Sequence, residues 1–426
     1  MRNKIIIGCM LFGALSANAQ EGPLTAADYK QKVLEYSRQI KQSAEERVAM
    51  QEAIKAAKTA FFPAIDFSGS YQYRINKYEL MPGYEMDHNT YSLGATLNQP
   101  IYAGGQIYNN YKAAQIQGQI ANKAEELTTD NIIYAADMNY WSAAARKGMY
   151  DVMCQYVDIV KQLADVLTIR FNDGQISKTD LLQVESRLKE AELNKSSAYK
   201  DYQIALQNLN VLMGIPPMTP VELSENITKV QPLPARIGEE AAVQNRPDFM
   251  ISQLNIEYQK RQINLSKAKY NPSLAVGFQG SWGTPMLNMK GSDQLWTPAV
   301  FASLKIPLFH WGARFKEVNS QKALLRSKEY ALDDTRDQIS KEVANAWTSL
   351  TENTKQINVA EEACKIAEEN LELNTFSYNE GKLPILDVLS AQLSWIQSYS
   401  SLIQTWYQQK ASMAQYNKVV GLRYMK

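Results

Sequence analysis

Shifted by 207 residues and laid over itself, the 426-residue chain matches its own outline, which limits it to architectures built from two like units. Pro100 answers Pro307, Gly105 answers Gly312, Gly174 answers Gly381 and Gly214 answers Gly421, all at that one offset. FFPAIDFSGSYQY (61–73) answers YNPSLAVGFQGSW (270–282), LNQPIYAGGQ (97–106) answers LKIPLFHWGA (304–313), and RFNDG (170–174) answers FSYNEG (376–381). The expected division is a first repeat at 20–213, a connector at 214–237 and a second repeat at 238–426. Gly214 and five prolines make the connector unfit to continue a helix.

Each repeat reads in the same order. A modest helix (about 38–59; about 248–269) leads into two short strands, a very long helix, a Gly turn and a returning helix. Thr25 with Asp28 three residues on reads as a capped helix start. Arg246-Pro247-Asp248 breaks the corresponding region of the second repeat. Residues 106–169 predict a rod of roughly 96 Å at ~1.5 Å per residue. The returning helix carries a seam through Leu181, Val184, Leu188, Ala191, Lys195, Ala198, Tyr202, Ala205, Leu209 and Leu212, stepping three and four alternately as a heptad does.

The expected strands, about 64–75, 91–98, 273–283 and 297–306, alternate apolar and polar residues. Ile65, Phe67, Tyr71 and Tyr73 share one face, and Asp66, Ser68, Ser70 and Gln72 the other. Aromatics gather at both strand ends. Tyr71, Tyr73, Tyr91, Trp282 and Trp296 lie toward the loops at 76–90 and 284–295, while Phe61, Phe62, Tyr102, Tyr270, Phe309 and Trp311 lie at the opposite ends. Two such belts around an apolar band of ~25 Å mark a transmembrane barrel, whereas a water-soluble sandwich needs neither. Four strands cannot close a barrel, and open edges are intolerable in lipid, so other copies must complete the ring.

Other features narrow the function. Arg2 and Lys4, an apolar run to Leu15 and Ala17-Asn18-Ala19 predict a secretory leader at 1–19. The rest of the sequence has no apolar run long enough for a membrane-spanning helix. With 45 basic and 44 acidic residues, no basic field suggests a nucleic-acid partner. Only His88 and His310 are present, Cys154 and Cys364 have no metal or redox spacing, and no catalytic constellation stands out, so neither enzyme activity nor a cofactor or metal is expected.

Taken together, the duplicated repeat, the two strand-leading stretches, NRPD (245–248), NVLMGIPP (210–217) and RFNDGQISKTDLL (170–182) with its counterpart FSYNEGKLPILDVL (376–389) resemble the TolC family of outer-membrane efflux proteins. The resemblance implies a mainly α fold with transmembrane β structure: a homotrimer whose twelve strands form one barrel in the outer membrane, continuing into a long α-helical barrel in the periplasm. It implies a passive exit duct for efflux or type I secretion, joined by a periplasmic adaptor protein to an inner-membrane pump. The Gly turns become periplasmic tips, with Asn172, Asp173, Gly174, Gln175, Asn379, Glu380, Gly381 and Lys382 as adaptor-contact candidates. Asp387 matches an acidic ring at the pore constriction, Ser390 replaces the family's second acidic ring, and Asp180 and Tyr378 match closed-state helix contacts. Leu383 replaces the basic partner in that contact. The competing expectation is a trimeric coiled-coil anchor or adhesin on a small barrel.

Overall fold

A computed structural model describes residues 22–76, 79–81, 84–85, 88–284 and 295–422. The leader expected at 1–19 lies outside them, as do parts of both expected loops. Along the chain run α1 (Ala26–Tyr36), α2 (Arg38–Thr59), β1 (Ala64–Tyr73), β2 (Glu79–Met81), β3 (Tyr84–Glu85), β4 (Asn89–Ala103), α3 (Gln106–Asn172), α4 (Lys178–Met213), α5 (Glu239–Asn245), α6 (Pro247–Ala268), β5 (Ser273–Gly283), β6 (Leu295–Lys305), α7 (Ala313–Asn379) and α8 (Ile385–Val419). Helices α3 and α7 are each 67 residues long. Equal lengths in equivalent places are what the duplication predicts.

The chain forms two compact units. Among the described residues, one takes in 22–37, 132–235 and 346–416, the other those within 38–131, 236–345 and 417–422. Each draws on both sequence repeats, so a compact unit is not a repeat.

The second unit holds the four-stranded antiparallel sheet, in the order β1-β4-β5-β6. The two hairpins share one register: Ala64 faces Asn98 in the first, and the equivalent Ser273 faces Lys305 in the second. Strand β4 runs five residues beyond its expected end because Pro100 does not stop it. Instead the register shifts between Pro100 and Tyr102, a bulge that accommodates the missing N–H. Every residue of β1 and nearly every residue of β6 is exposed, including Ile65, Phe67, Val300 and Leu304. Beneath the sheet, Arg246 of the NRPD stretch binds Asp248 and reaches Glu342 on α7 at 2.7 Å. Arg47 on α2 grips Glu125 on α3 at 2.6 Å.

The first unit has two apolar clusters. In one, the end of α3 packs with α4, α7 and α8 through Val160, Leu167, Val184, Ala191, Val388 and Trp395. Val184, Ala191 and Leu209 are fully buried, so the heptad seam read from sequence is the buried face of α4. The other cluster gathers Leu24, Tyr29, Tyr140, Trp141, Leu209, Met213 and Ile227 around the connector. Backbone bonds fasten the connector: Leu24 N–H donates to Glu222 O at 2.7 Å and Ser224 N–H to Leu24 O at 2.9 Å. The Tyr140 hydroxyl also donates to Leu24 O, and Asn210 Nδ2 serves both Pro217 O and Thr219 O. Lys410, almost wholly buried, donates to Lys229 O at 2.6 Å and lies 4.3 Å from the Trp141 ring centre. Burial holds its ammonium below the usual lysine range.

Two carboxylates predict opposite responses to acid. Burial by itself would raise the pKa of Asp248, but its bonds to and charge attraction from Arg246 outweigh burial and hold it below the usual range. Its stabilising contribution is therefore present at neutral pH and lost as pH falls through that lowered value. Asp137 sits 3.1 Å from Lys30, and burial raises its pKa despite that partner. Its folded form gains stability as pH falls through the raised value, the gain being complete below the ordinary carboxylate range. In thermal melts, Asp137→Asn should remove an acid-side gain, while Arg246→Met should cost about 3 kcal/mol at neutral pH by stranding two carboxylates.

Candidate functional site

Two turns end the long helices, and both are closed by the same backbone geometry. After α3, Gly174 takes φ 71°, its N–H donates to Phe171 O, and Gln175 N–H reaches back five residues to Arg170 O at 2.8 Å. After α7, Gly381 takes φ 75°, donates to Tyr378 O, and Lys382 N–H reaches Ser377 O at 2.9 Å. This left-handed closure satisfies the last helical carbonyls and is strained for residues with a Cβ. A Cβ at either position would meet nothing within 4 Å, so dihedral preference alone calls for glycine here. At Gly214, by contrast, a Cβ would fall 2.2 Å from the Tyr36 ring. The turns at Gly174 and Gly381 are thus open where the one at Gly214 is filled. Asn172, Asp173, Gln175, Asn379, Glu380 and Lys382 surround them, all exposed.

Asp180 completes a capping box at the start of α4. Its backbone N–H donates to Ser177 Oγ at 3.2 Å, and its carboxylate accepts from the Ser177 N–H and hydroxyl. Tyr378 is buried, with the Arg170 guanidinium 5.3 Å from its ring centre. Arg170 also donates to the backbone and side-chain oxygens of Asn379, at 3.4 and 3.3 Å. Asp180 and Tyr378, both expected at helix-to-helix contacts, have different partners within the chain. Sequence reading passed over Arg170, although a cation in the last turn of a helix is a recognisable signal. It bridges the last turn of α3 to the last turn of α7.

Asp387 and Ser390 are both exposed and lie three residues apart on α8, while Ile385, Val388 and Leu389 beside them are buried. The core-facing stripe of α8 therefore turns Asp387 and Ser390 outward on a common face. Near the turns, α3, α7 and α8 border a groove of about 690 Å³ lined in part by Asp158, Glu368, Glu372, Phe376, Asn379 and Trp395. Three carboxylates and two aromatic rings are among its lining, and Asn379 joins it to the α7 turn.

The belt aromatics occupy both margins of the sheet. Tyr71 faces Tyr91, Trp282 faces Trp296, and the Tyr91 and Trp282 rings lie 5.7 Å apart, so one row crosses all four strands. Tyr73 is exposed beside them and stacks on His88. At the other margin Phe61, Phe62, Phe309 and Trp311 are exposed. Tyr270 differs: it is half-buried and its hydroxyl donates to Glu317 at 2.9 Å. No described helix is long and apolar enough to cross a membrane.

Comparison with known proteins agrees with this geometry. The family described as outer membrane efflux protein matches residues 30–215 and 240–422. Nodulation protein T of Rhizobium leguminosarum bv. trifolii is 26% identical over 254 residues, covering 56% of this chain and 52% of that protein. The chain thus spans about half the length of that relative. Outer membrane protein TolC of Escherichia coli K12 is 22% identical over 427 residues, covering 95% of this chain and 83% of TolC. Among solved structures, the Campylobacter jejuni CmeC outer membrane channel superposes with TM-score 0.80 at 16% identity, covering 93% of this chain and 85% of that one. TolC-like proteins are homotrimeric passive channels of the outer membrane that work with adaptor proteins and inner-membrane pumps. With both repeats matched and the fold reproduced nearly end to end, this chain belongs to the outer membrane efflux protein family.

Proposed function

We propose that three copies of this chain form a passive exit duct in the outer membrane, fed by an inner-membrane pump through a periplasmic adaptor. The observation that carries this reading is the sheet: four strands, apolar and exposed, with β1 and β6 each paired on one side only. In hydrocarbon every backbone donor and acceptor must be paired, so the sheet is complete only as part of a closed ring. Three copies give a twelve-stranded ring. Helices α4 and α7 leave further apolar residues exposed on single stripes, Leu182, Leu193, Ile204 and Val211 on α4 at eleven- and seven-residue steps and Val359, Ile366 and Leu373 on α7 at heptad steps. A helical wall made of neighbouring copies covers such stripes. The division into repeats at 20–213 and 238–426, with 214–237 between, is read as two staves of that wall and barrel.

At the tip we assign Asp387 to the pore ring, where three copies would bring three carboxylates together and favour cations over anions. Ser390, one turn on, adds no charge. The turns at 172–175 and 379–382, with the acidic groove beside Asn379, are the adaptor-facing surface. Arg170 supplies the cation that Leu383 lacks, holding Tyr378 and Asn379 against α3. A ring–guanidinium contact of this half-exposed kind contributes about 0.5–1 kcal/mol.

Planar-bilayer conductance tests the duct directly: discrete ion-conducting events are expected, and a stable trimer that carries no current would assign the chain to the anchor reading instead. Asp387→Asn should lower cation preference and block by multivalent cations, with unchanged selectivity removing Asp387 from the constriction. Arg170→Gln should raise the open fraction of single channels at rest, since it frees the α7 turn from α3. Charge reversal at Glu368 and Glu372 should weaken co-purification of the native adaptor without altering conductance.

A further inference from the structure

The chain contains its own template for the junction between copies. The hairpins β1-β4 and β5-β6 coincide when β1 is advanced by 209 residues and β4 by 207. Ala64 opposite Asn98 becomes Ser273 opposite Lys305, and Tyr73 opposite Asn89 becomes Trp282 opposite Trp296. Within the chain these hairpins join through β4 and β5, with Thr96 opposite Gln279, Asn98 opposite Gly277 and Tyr102 opposite Leu274. Resting on the trimer reading, we infer that β6 joins β1 of the next copy in the equivalent register, with Ser303 opposite the partner's Ser70 and Lys305 opposite the partner's Ser68, and that Trp311 lies against the partner's Phe62.

The pattern of faces supports this register independently. It sets Val300, Ile306 and Phe309 opposite the partner's Tyr73, the partner's Phe67 and the partner's Ile65, all six exposed in the single chain. On the other face Lys305 falls diagonal to the partner's Asp66. A slip of one residue would turn every apolar side chain toward a polar one. The register also accounts for an asymmetry. Residues 99–103 are strand, paired with β5, whereas the equivalent 306–310 lie outside β6, whose neighbour is the next copy.

The turn that follows differs between the repeats in an informative way. Gly104 takes φ 62°, its carbonyl accepts from Asn271 Nδ2 at 2.9 Å, and a Cβ there would fall 2.6 Å from Ala268 O. At the equivalent place stands Trp311, left-handed at φ 47° and 90% exposed, while Phe62 stands where Asn271 does. A residue of that size in that conformation cannot reproduce the close internal junction. The junction between copies is therefore wider, and an indole and a phenyl ring fill it where a glycine and an asparagine bond serve inside the chain. Ring pairs of this kind prefer offset or edge-to-face approach, which a wider junction permits.

Cysteine pairing in the full-length trimer tests the register, with Cys154→Ser and Cys364→Ala removing the native thiols. On oxidation with copper phenanthroline, Ser303→Cys with Ser70→Cys should give covalent dimers and trimers on non-reducing gels. Ser303→Cys with Tyr71→Cys, on opposite faces, should not. Equal linkage of both pairs, or linkage of the second alone, would overturn the register, whereas native mass spectrometry showing only monomer would instead sink the trimer reading. For the turn, Trp311→Gly should lower the temperature at which trimers dissociate in SDS, and adding Phe62→Asn, which installs the internal pair, should restore it. A Trp311→Gly trimer of unchanged resistance would assign the indole to lipid alone and remove it from the junction.

Discussion

A peptide group in hydrocarbon finds no water, and an unpaired N–H or C=O there costs several kcal/mol. Everything unusual about this chain follows from that constraint. Four strands are too few to close on themselves, so in the proposed duct their edges pair with other copies and the apolar faces of β1 and β6 meet lipid rather than water. The duplication then multiplies what each copy contributes: two hairpins, two 67-residue helices and two tip turns from one gene product. Few independent surfaces are needed to build a large ring.

Inside each compact unit the polar groups are handled differently from those in the sheet. The connector cannot form a helix, so its backbone is satisfied piecemeal by Leu24, Tyr140, Asn210, Gln409 and Lys410. Lys410 keeps a cation in a nearly closed site because a carbonyl and the Trp141 face both receive it, which offsets part of the desolvation. The tip turns have no such support. Gly174 and Gly381 are held by backbone bonds and by Arg170, and nothing is built over them. Turns held by a few surface bonds open at lower free energy than turns packed under a core.

Periodicity carried most of the architecture into plain sight. Strand alternation, the Val184-to-Leu209 seam and the repeated glycines are local or regularly spaced, and each emerged in the fold where its spacing put it. What escaped is what spacing does not encode. The continuation of β4 past Pro100 follows from pairing with β5 about 175 residues away. The Arg170 bridge to Asn379 spans 209 residues. Asp180 illustrates a subtler limit: the same residue type at the same place serves a capping box or a helix-to-helix contact, and sequence does not separate the two. Trp311 fits a belt by its place at a strand end, yet its left-handed backbone stands out only against Gly104 in the other repeat.

The division into units has a consequence for how such a chain comes into being. Each unit is assembled from three separated segments, and both include residues beyond position 345. Leu24 finds its partners near residue 223, and the Lys229 carbonyl waits for Lys410. A chain emerging from its N-terminal side first can therefore complete neither unit until its last helix arrives. Until then the helical residues destined for the two clusters stay uncovered, a state exposed to misassociation and slow to resolve because its decisive contacts are so distant in sequence. Late consolidation is built into the connectivity of the fold.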